Sequence, residues 1–520
     1  KLAELNGTQC GYCASGMVML LYCFLKENPN ATPLEVERCL DGNLCRCTGY
    51  RPILDTFKSF ATNSNGIDFT EEKACRKANC CQKQQKHLFD LEECHKAADV
   101  APPHNRIMKV HHSKNPLKSS HLVPFAAPPP SYHAATTAVE KTRLAATTAI
   151  WQDCNTLPEL SYWMQHYSDL QVMLAVGSTS LAIFPMEYDV YLNIGAIPEL
   201  NVLSQSETGI TVGACNPVKN VIDFVSSVST AVAYQTQNFP AVVSHLNRLA
   251  GYSLRCRASI GGNLMITRQH QQPLDFFPSD AALVMLGLNA TVSVLDVASG
   301  VTSVVSMANF FSMDFTQRVL VSIFIPFATN EFQKFGSYKI AKRQVMSHAF
   351  VNCAFQATVS PLSHTISNPI VAIGGIYTCP TRISAIETAL TGVDVTSLAA
   401  VQTVCSQLYT ILEQNVAPQG GRQQFRVQTA VNYLYKFILS LQPDVPSNLS
   451  KATCNWLVRG VTSASQTFGT DPQQYPVSQP LNKVDGLTQT SGEAQYTADL
   501  PAPHGLLHAA IVQTTVANAT

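Results

Sequence analysis

Charge is scarce in this chain. Only 13% of its 520 residues are Asp, Glu, Lys or Arg, and 35 basic residues balance 35 acidic ones. No field exists to seek out nucleic acid or an anionic membrane, so neither is expected as a partner. Long apolar runs are missing as well: Val18 to Leu25, the longest near the start, falls far short of the roughly 20 residues that cross a bilayer. No Gly-x-Gly-x-x-Gly occurs, which removes the usual sequence sign of a Rossmann dinucleotide site. There is no internal repeat. What remains is a globular composition, 46% apolar, in a chain too long for one core, which predicts about two to four domains. The chain opens on Lys1 rather than Met and ends at Thr520 with no terminator of a fold in view, and it reads as a fragment.

Cysteine is the residue in excess, 17 in all. In a secreted protein that number would mean disulfides with one thiol left over, but clustering favours metal here. Residues 1–62 look helical, with an apolar-rich run from Met17 to Lys26 and a cap, Pro and acid in Thr32-Pro33-Leu34-Glu35. Polar, Cys/Lys/His-rich sequence over 63–141, ending in Pro128-Pro129-Pro130, reads as a linker. Beyond it, Val172 to Val176, Gly209 to Val212, Thr291 to Leu295 and Val319 to Pro326 read as strands between helical stretches in a block over 142–330. A second α/β block over 331–441 places a strand at Phe332 to Ile340 and helices at Ile383 to Leu390 and Thr429 to Leu441. Residues 442–485 read as a second linker, and 486–520 as the start of a further unit. The expected fold class is therefore multidomain, α and α+β.

The sharpest motif is Gln9-Cys10-Gly11-Tyr12-Cys13 followed later by Cys45-Arg46-Cys47-Thr48-Gly49-Tyr50-Arg51-Pro52. Two thiolates per iron are what a [2Fe-2S] cluster needs, and a gap of two residues or of one in a tight turn can each supply a pair. Structural zinc is the competing reading, although zinc modules usually space both pairs by two to four residues. Cys23 and Cys39 read as small buried apolar side chains. Cys75, Cys80, Cys81 and Cys94, with His87 and His95, fit no metal template and read as part of a solvated tether.

Two glycine-containing turns follow strand-like runs: Leu174-Ala175-Val176-Gly177-Ser178-Thr179-Ser180-Leu181 and Ala258-Ser259-Ile260-Gly261-Gly262-Asn263-Leu264. Each alone is more often an ordinary turn than a ligand site. Two in one domain offer enough backbone and side-chain donors to hold a pyrophosphate.

The cysteine motif, together with Gly42 to Leu54, resembles the helical [2Fe-2S] domain of the molybdenum hydroxylases, the family of aldehyde oxidases and xanthine dehydrogenases. Trp151, the two turns, Val319 to Pro326 and Phe335-Gly336-Ser337-Tyr338-Lys339 are similar to the two-part FAD domain of the same family. The resemblance implies Cys10, Cys13, Cys45 and Cys47 as iron ligands and Gln9 as the residue touching the molybdopterin. It implies that residues 174 to 181 and 258 to 264 cradle the FAD diphosphate, Asp280 holds the nucleotide part, and Leu320 and Lys339 lie by the flavin. Asp275 competes with Asp280, because Gln271 to Phe276 looks like an insertion. Ala14-Ser15-Gly16 stands where the family usually has Thr-Pro-Gly.

Other departures bear on the electron acceptor. Leu249 stands where the family's dehydrogenases place an aromatic flavin shelf, and Phe310-Phe311-Ser312-Met313-Asp314-Phe315 keeps a Phe pair without the Tyr-Arg of the NAD site. That resembles oxidases using O2, and Lys339 to Arg343 with His348 to Asn352 looks most like insect-type aldehyde oxidases. Gly492 to Leu500 and Leu506-Leu507-His508 resemble the first strands of a molybdenum-binding domain. The implied activity is oxidation of a small-molecule aldehyde to a carboxylic acid at molybdenum-molybdopterin, with electrons passing through two [2Fe-2S] clusters to FAD and O2. No residue of the hydroxylation step itself is identified in the chain. A cytoplasmic homodimer is the implied assembly, with a peroxisomal location as the alternative. The competing functions are a purine hydroxylase using NAD, a stand-alone flavin and iron-sulfur carrier, and a non-enzymatic zinc-stabilised module.

Overall fold

A computed structural model describes residues 1–62, 149–272, 275–415, 422–445, 447–453, 460–464, 469–477, 479, 481–507 and 509–511. The linker reading over 63–141, with its four thiols, lies outside the described residues, as does His508.

The first unit is a set of short helices around one apolar stripe. Helix Ala14–Glu27 turns Ala14, Met17, Leu21 and Phe24 inward, at the three-and-four spacing that stacks side chains on one helical face. Thr32 opens helix Pro33–Cys39 with a capping box: its hydroxyl accepts from the Glu35 amide at 3.3 Å, and the Glu35 carboxylate accepts from the Thr32 amide at 2.8 Å. Helix Arg51–Lys58 follows Tyr50, which adopts a left-handed φ of 68°. Met17, Val36, Cys39, Ile53 and Phe57 close the core, each large side chain contributing about 1.5–3 kcal/mol by burial.

After the linker, β1 (Ile150–Asp153), β2 (Val172–Ala175) and β3 (Val190–Asn193) form a parallel sheet in the order β1-β3-β2, with Val190 opposite both Ile150 and Val172. A larger antiparallel sheet follows. It is built from β4 (Leu203–Gln205) and β5 (Gly209–Gly213), then, beyond a short ribbon of β6 (Gln271–Gln272) and β7 (Asp275–Phe276), from β8 (Thr291–Asp296), β9 (Thr302–Ser306) and β10 (Arg318–Pro326), in the order β4-β5-β10-β8-β9. Helices Val218–Ser227, Phe239–Leu246, Ile260–Gln269 and Asp280–Gly287 contribute Val221, Val242, Leu264 and Leu283 to the core it shares with Ile210, Val292 and Ile323.

The last sheet runs in sequence order through β11 (Gln333–Ala341), β12 (Ala349–Val359), β13 (Ile366–Gly374) and β14 (Thr381–Arg382), antiparallel throughout. Its two faces do different work because side chains alternate along a strand. Val351, Cys353 and Phe355 of β12 meet helices Ser384–Leu390, Leu398–Glu413 and Gln423–Ser440 in one core. Ala354, on the opposite face, joins the core of the five-stranded sheet, and Gly287 there comes so close that a Cβ would lie 2.4 Å from the Ala354 Cβ. Asn352 shares that opposite face, which determines what it can reach.

Two expectations need correction. The helix expected at Thr429 to Leu441 runs from Gln423 to Ser440, because Arg422 in a left-handed conformation starts it earlier than its polar opening residues suggest. Gly492 to Leu500 and Leu506 to His508 are expected as strands of a further unit, but the described residues there hold only a 3₁₀ turn at Thr497–Asp499, after helix Gly486–Ser491. A strand needs a neighbour to complete its hydrogen bonds, and none of the described residues pairs with this stretch.

Residues 442–485 also differ from a free tether. Thr462 reaches the helical unit, where its amide and hydroxyl donate to Glu37 Oε2 at 3.1 and 3.0 Å. The same carboxylate meets Lys58 Nζ at 3.1 Å, with the Lys58 side chain fully buried. Burial would raise the Glu37 carboxyl, but Lys58 and the two Thr462 donors hold it below its usual value.

Candidate functional site

Four sulfurs converge at one end of the helical unit. Cys47 Sγ donates to Cys10 Sγ at 3.4 Å, and Cys13 is hydrogen-bonded to Cys45. They come as two pairs, and among the described residues no three His, Cys, Asp or Glu side chains gather as ligands of a single ion. A dinuclear iron core takes two thiolates per iron, and structural zinc takes four ligands around one point.

Each pair already shares a proton. The Tyr12 amide and the Cys47 thiol hold Cys10 below the ordinary thiol value. Burial pushes Cys45 up, but the Thr48 hydroxyl and the amides of Thr48 and Cys47 outweigh it and leave it lowered. Burial and the neighbouring Cys45 push Cys13 up to about 11. In each pair one thiol is thus held lower than its partner, and metal binding displaces the protons of both. The loop is braced locally: the Cys45 amide donates to the Tyr50 phenol at 2.8 Å, and the phenol donates to the Asn43 carbonyl at 3.3 Å. Gln9 is exposed beside the pair. Cys39 is buried in the core and pushed up to about 12 by burial, apart from the four.

The second site is a cavity of about 980 Å³, large for a small-molecule pocket. Of the first turn, Leu174, Val176, Ser178, Thr179 and Ser180 line it; of the second, Ala258, Ser259, Gly261, Gly262 and Asn263. Ala175, Gly177 and Leu181 stand behind the wall. The two turns pack directly together, since Gly177, at φ 67°, lies so close that a Cβ there would sit 2.0 Å from the Arg257 carbonyl oxygen. Ser259 caps helix Ile260–Gln269 by accepting from the Gly262 amide at 3.0 Å. That places the N-terminal turn of the helix and the hydroxyls of residues 178–180 on one cavity, a fitting cradle for a diphosphate.

Leu320 of β10 and Leu249 line the same cavity. So does Asp280, whereas Asp275 does not: it is exposed and paired with His270 at 2.9 Å. Lys339 is not in the wall. Lys339 and Asn352 face each other across β11 and β12, and both turn toward Asp280, whose carboxylate takes Lys339 Nζ at 2.5 Å and Asn352 Nδ2 at 2.8 Å. His245 Nε2 stands 3.4 Å from the same carboxylate, and Ser279 donates to Asn263 Oδ1 at 2.5 Å, linking the cluster to the second turn. Burial would raise Asp280, but the Lys339 charge and the His245 contact hold it far below the carboxylate range. His245 and Asn352 were not identified from sequence as site residues. Asn352 lay in a quoted motif, yet only the strand pairing shows what it reaches.

Three family descriptions match in this order: [2Fe-2S] binding domain over residues 1–58, FAD binding domain in molybdopterin dehydrogenase over 144–328, and CO dehydrogenase flavoprotein C-terminal domain over 336–441. The chain belongs to the molybdenum hydroxylase family. Its cofactor domains are those for [2Fe-2S] and FAD, and its homologues are molybdenum-flavin oxidoreductases. Among the family's characterised members, aldehyde oxidase 4 of Cavia porcellus is 28% identical over all of this chain and 39% of its own length. Xanthine dehydrogenase/oxidase of Gallus gallus is 27% identical over all of this chain and 40% of its own. The chain therefore spans about 39% of the length of such relatives. A solved Cu,Mo-CO dehydrogenase chain is similar at 15% identity with a TM-score of 0.46, covering 56% of this chain and 96% of that one, a likeness too slight to argue from. Among the described residues no helix is long and apolar enough to cross a membrane.

Proposed function

We propose that this chain is the iron-sulfur and flavin portion of an aldehyde oxidase-type molybdenum hydroxylase. Cys10, Cys13, Cys45 and Cys47 hold the cluster, and Gln9 faces the molybdopterin side. Residues 174–181 with Ala258, Ser259, Gly261, Gly262 and Asn263 cradle the FAD diphosphate, Asp280 meets the nucleotide, and Leu320 lies against the flavin. The observation that carries this reading is the single cavity on which both glycine turns, the N-terminal turn of helix Ile260–Gln269 and Asp280 converge.

FAD, when bound, supplies two-electron storage and one-electron exchange. This chain's residues bind and orient it: the hydroxyls of the turns donate to the diphosphate at the helix N-terminus, and Leu249, Leu320 and Phe315 keep an apolar wall. Lys339 acts from behind that wall, holding Asp280 as an anion rather than touching the flavin directly. In the whole protein, electrons from an aldehyde oxidised to a carboxylic acid at molybdenum would arrive through the clusters. A homodimer in the cytoplasm is the assembly this reading favours.

The acceptor is O2 rather than NAD, because Leu249 offers the cavity no aromatic shelf and Asp314-Phe315 stand where the dehydrogenases carry Tyr-Arg. Anaerobic reduction of the FAD-loaded chain, followed by mixing with O2 or with NAD⁺, tests this. Reoxidation by O2 alone supports the oxidase reading. Formation of NADH would instead favour the xanthine dehydrogenase type.

A further inference from the structure

The cluster loop is held from outside the helical unit, by a segment far along the chain. The Cys10 carbonyl accepts from Gln489 Nε2 at 3.1 Å and from the Tyr496 phenol at 2.9 Å. That uses both lone pairs of the oxygen. Lys483 Nζ donates to the neighbouring Gln9 carbonyl. Gln489 is itself buried, 8% exposed, and its Oε1 accepts from Thr8 Oγ1 at 2.8 Å and Lys483 Nζ at 3.0 Å. A buried amide with all these partners is a built site rather than a surface contact.

Close approach fixes the geometry. Gly11 lies at φ 78°, and a Cβ there would stand 2.3 Å from Gln489 Cδ, so only glycine leaves room for the Gln489 side chain. Tyr496 also packs edge-on against Tyr12, with ring centroids 5.1 Å apart at 76°.

We propose that Lys483, Gln489 and Tyr496 are positioning residues of the iron-sulfur site: they fix the peptide planes of the Cys10–Cys13 turn and so tune the cluster that Cys10 ligates. The physical link is short. A peptide is planar, so holding the Cys10 carbonyl fixes the direction of the Gly11 amide across the same plane. The next plane is held at its other end, where the Gly11 carbonyl accepts from the Ala14 amide at 3.0 Å. Its own amide belongs to Tyr12, and that N–H points at Cys10 Sγ. Hydrogen bonds to the sulfurs are one of the levers that set the potential of an iron-sulfur cluster. Loosening either plane weakens this one.

The inference rests on the reading of the four thiols as cluster ligands, and the test separates the two. The full chain, reconstituted with iron and sulfide, is compared with Tyr496→Phe, Gln489→Ala and Ser491→Ala, the last touching only the Thr488 carbonyl in the same helix. Electron paramagnetic resonance of the reduced cluster and a redox titration are the readouts. Expected are a shifted g-tensor and a more negative midpoint potential in Tyr496→Phe and Gln489→Ala, several-fold faster cluster loss to a chelator, and an unchanged Ser491→Ala. If the parent chain holds a cluster and both variants keep its spectrum and potential, the positioning role is overturned, even should thermal stability fall. A parent chain that holds no cluster overturns the underlying ligand assignment. Tyr496→Phe removes one hydroxyl and keeps the ring, so it remains informative if Gln489→Ala does not fold.

Discussion

Lys339 Nζ lies 2.5 Å from Asp280 Oδ2, with side-chain exposures of 1% and 6%, and joins the first strand of the C-terminal sheet to a helix whose first residue lines the cavity. The pair is a covered bond between two pieces of the chain that are remote in sequence.

Breaking it from one side should be costly. Lys339→Met leaves the Asp280 carboxylate buried beside Asn352 and His245 without a cation, which removes about 3–5 kcal/mol. Denaturant unfolding should show this loss, and the double variant Lys339→Met/Asp280→Asn should recover most of it. A single variant as stable as the parent would show that the pair does not brace the site.

Acid should weaken the fold in two stages. Burial lowers His245, which faces Asp280, Lys339 and Arg248. Below about pH 6.5 the unfolded chain therefore binds protons that the folded chain refuses, and stability falls with pH. Asp280 has the opposite chemistry but the same sign at lower pH: its folded value is depressed, so its contribution is complete above about pH 4 and is lost as pH drops further. Unfolding midpoints from pH 8 to pH 5 should decline from pH 6.5 downward, and His245→Gln should flatten that decline. An unchanged slope in this variant would exclude His245 as a source.

The two turns make a sharper prediction about the flavin. Gly177→Ala drives a methyl into the Arg257 carbonyl, and Gly261→Ala places one 2.6 Å from the Ala214 carbonyl oxygen. Each should cut bound FAD at least tenfold, read from flavin absorbance after gel filtration. Gly300→Ala has a φ of 69° but nothing within 4 Å; it should cost about 1–2 kcal/mol of strain and leave FAD content intact.

What the sequence made legible was local. The Thr32 cap, the strands at Gly209 and Arg318 and the two glycine turns follow from neighbours in the chain, and the structure places them within a residue or two of expectation. Residues that act across the fold were not legible. Asn352 reaches Asp280 only because β12 pairs with β11 in one register, and Gln489 sits in a stretch read as the start of another unit while its amide caps the Cys10 carbonyl. Lys339 was assigned to the flavin by resemblance, but the strand face it occupies sends it to Asp280 instead. No periodicity in a single sequence encodes such pairings, because they depend on contacts between segments 59 to 479 positions apart.

Among the cysteines, position should decide function. Cys45→Ser removes one thiolate of a converging pair and should abolish the cluster's visible bands, whereas Cys39→Ser alters a core side chain and should leave the bands while lowering stability. Equal spectra for the two variants would mean that the converging thiols are not the ligands.

The most direct test of the whole account is metal analysis combined with visible and electron paramagnetic resonance spectra of the purified chain. Iron and acid-labile sulfide in equal amounts, flavin bands, and a rhombic signal on one-electron reduction are the predicted result. A colourless protein carrying zinc at the four thiols and no flavin would contradict it.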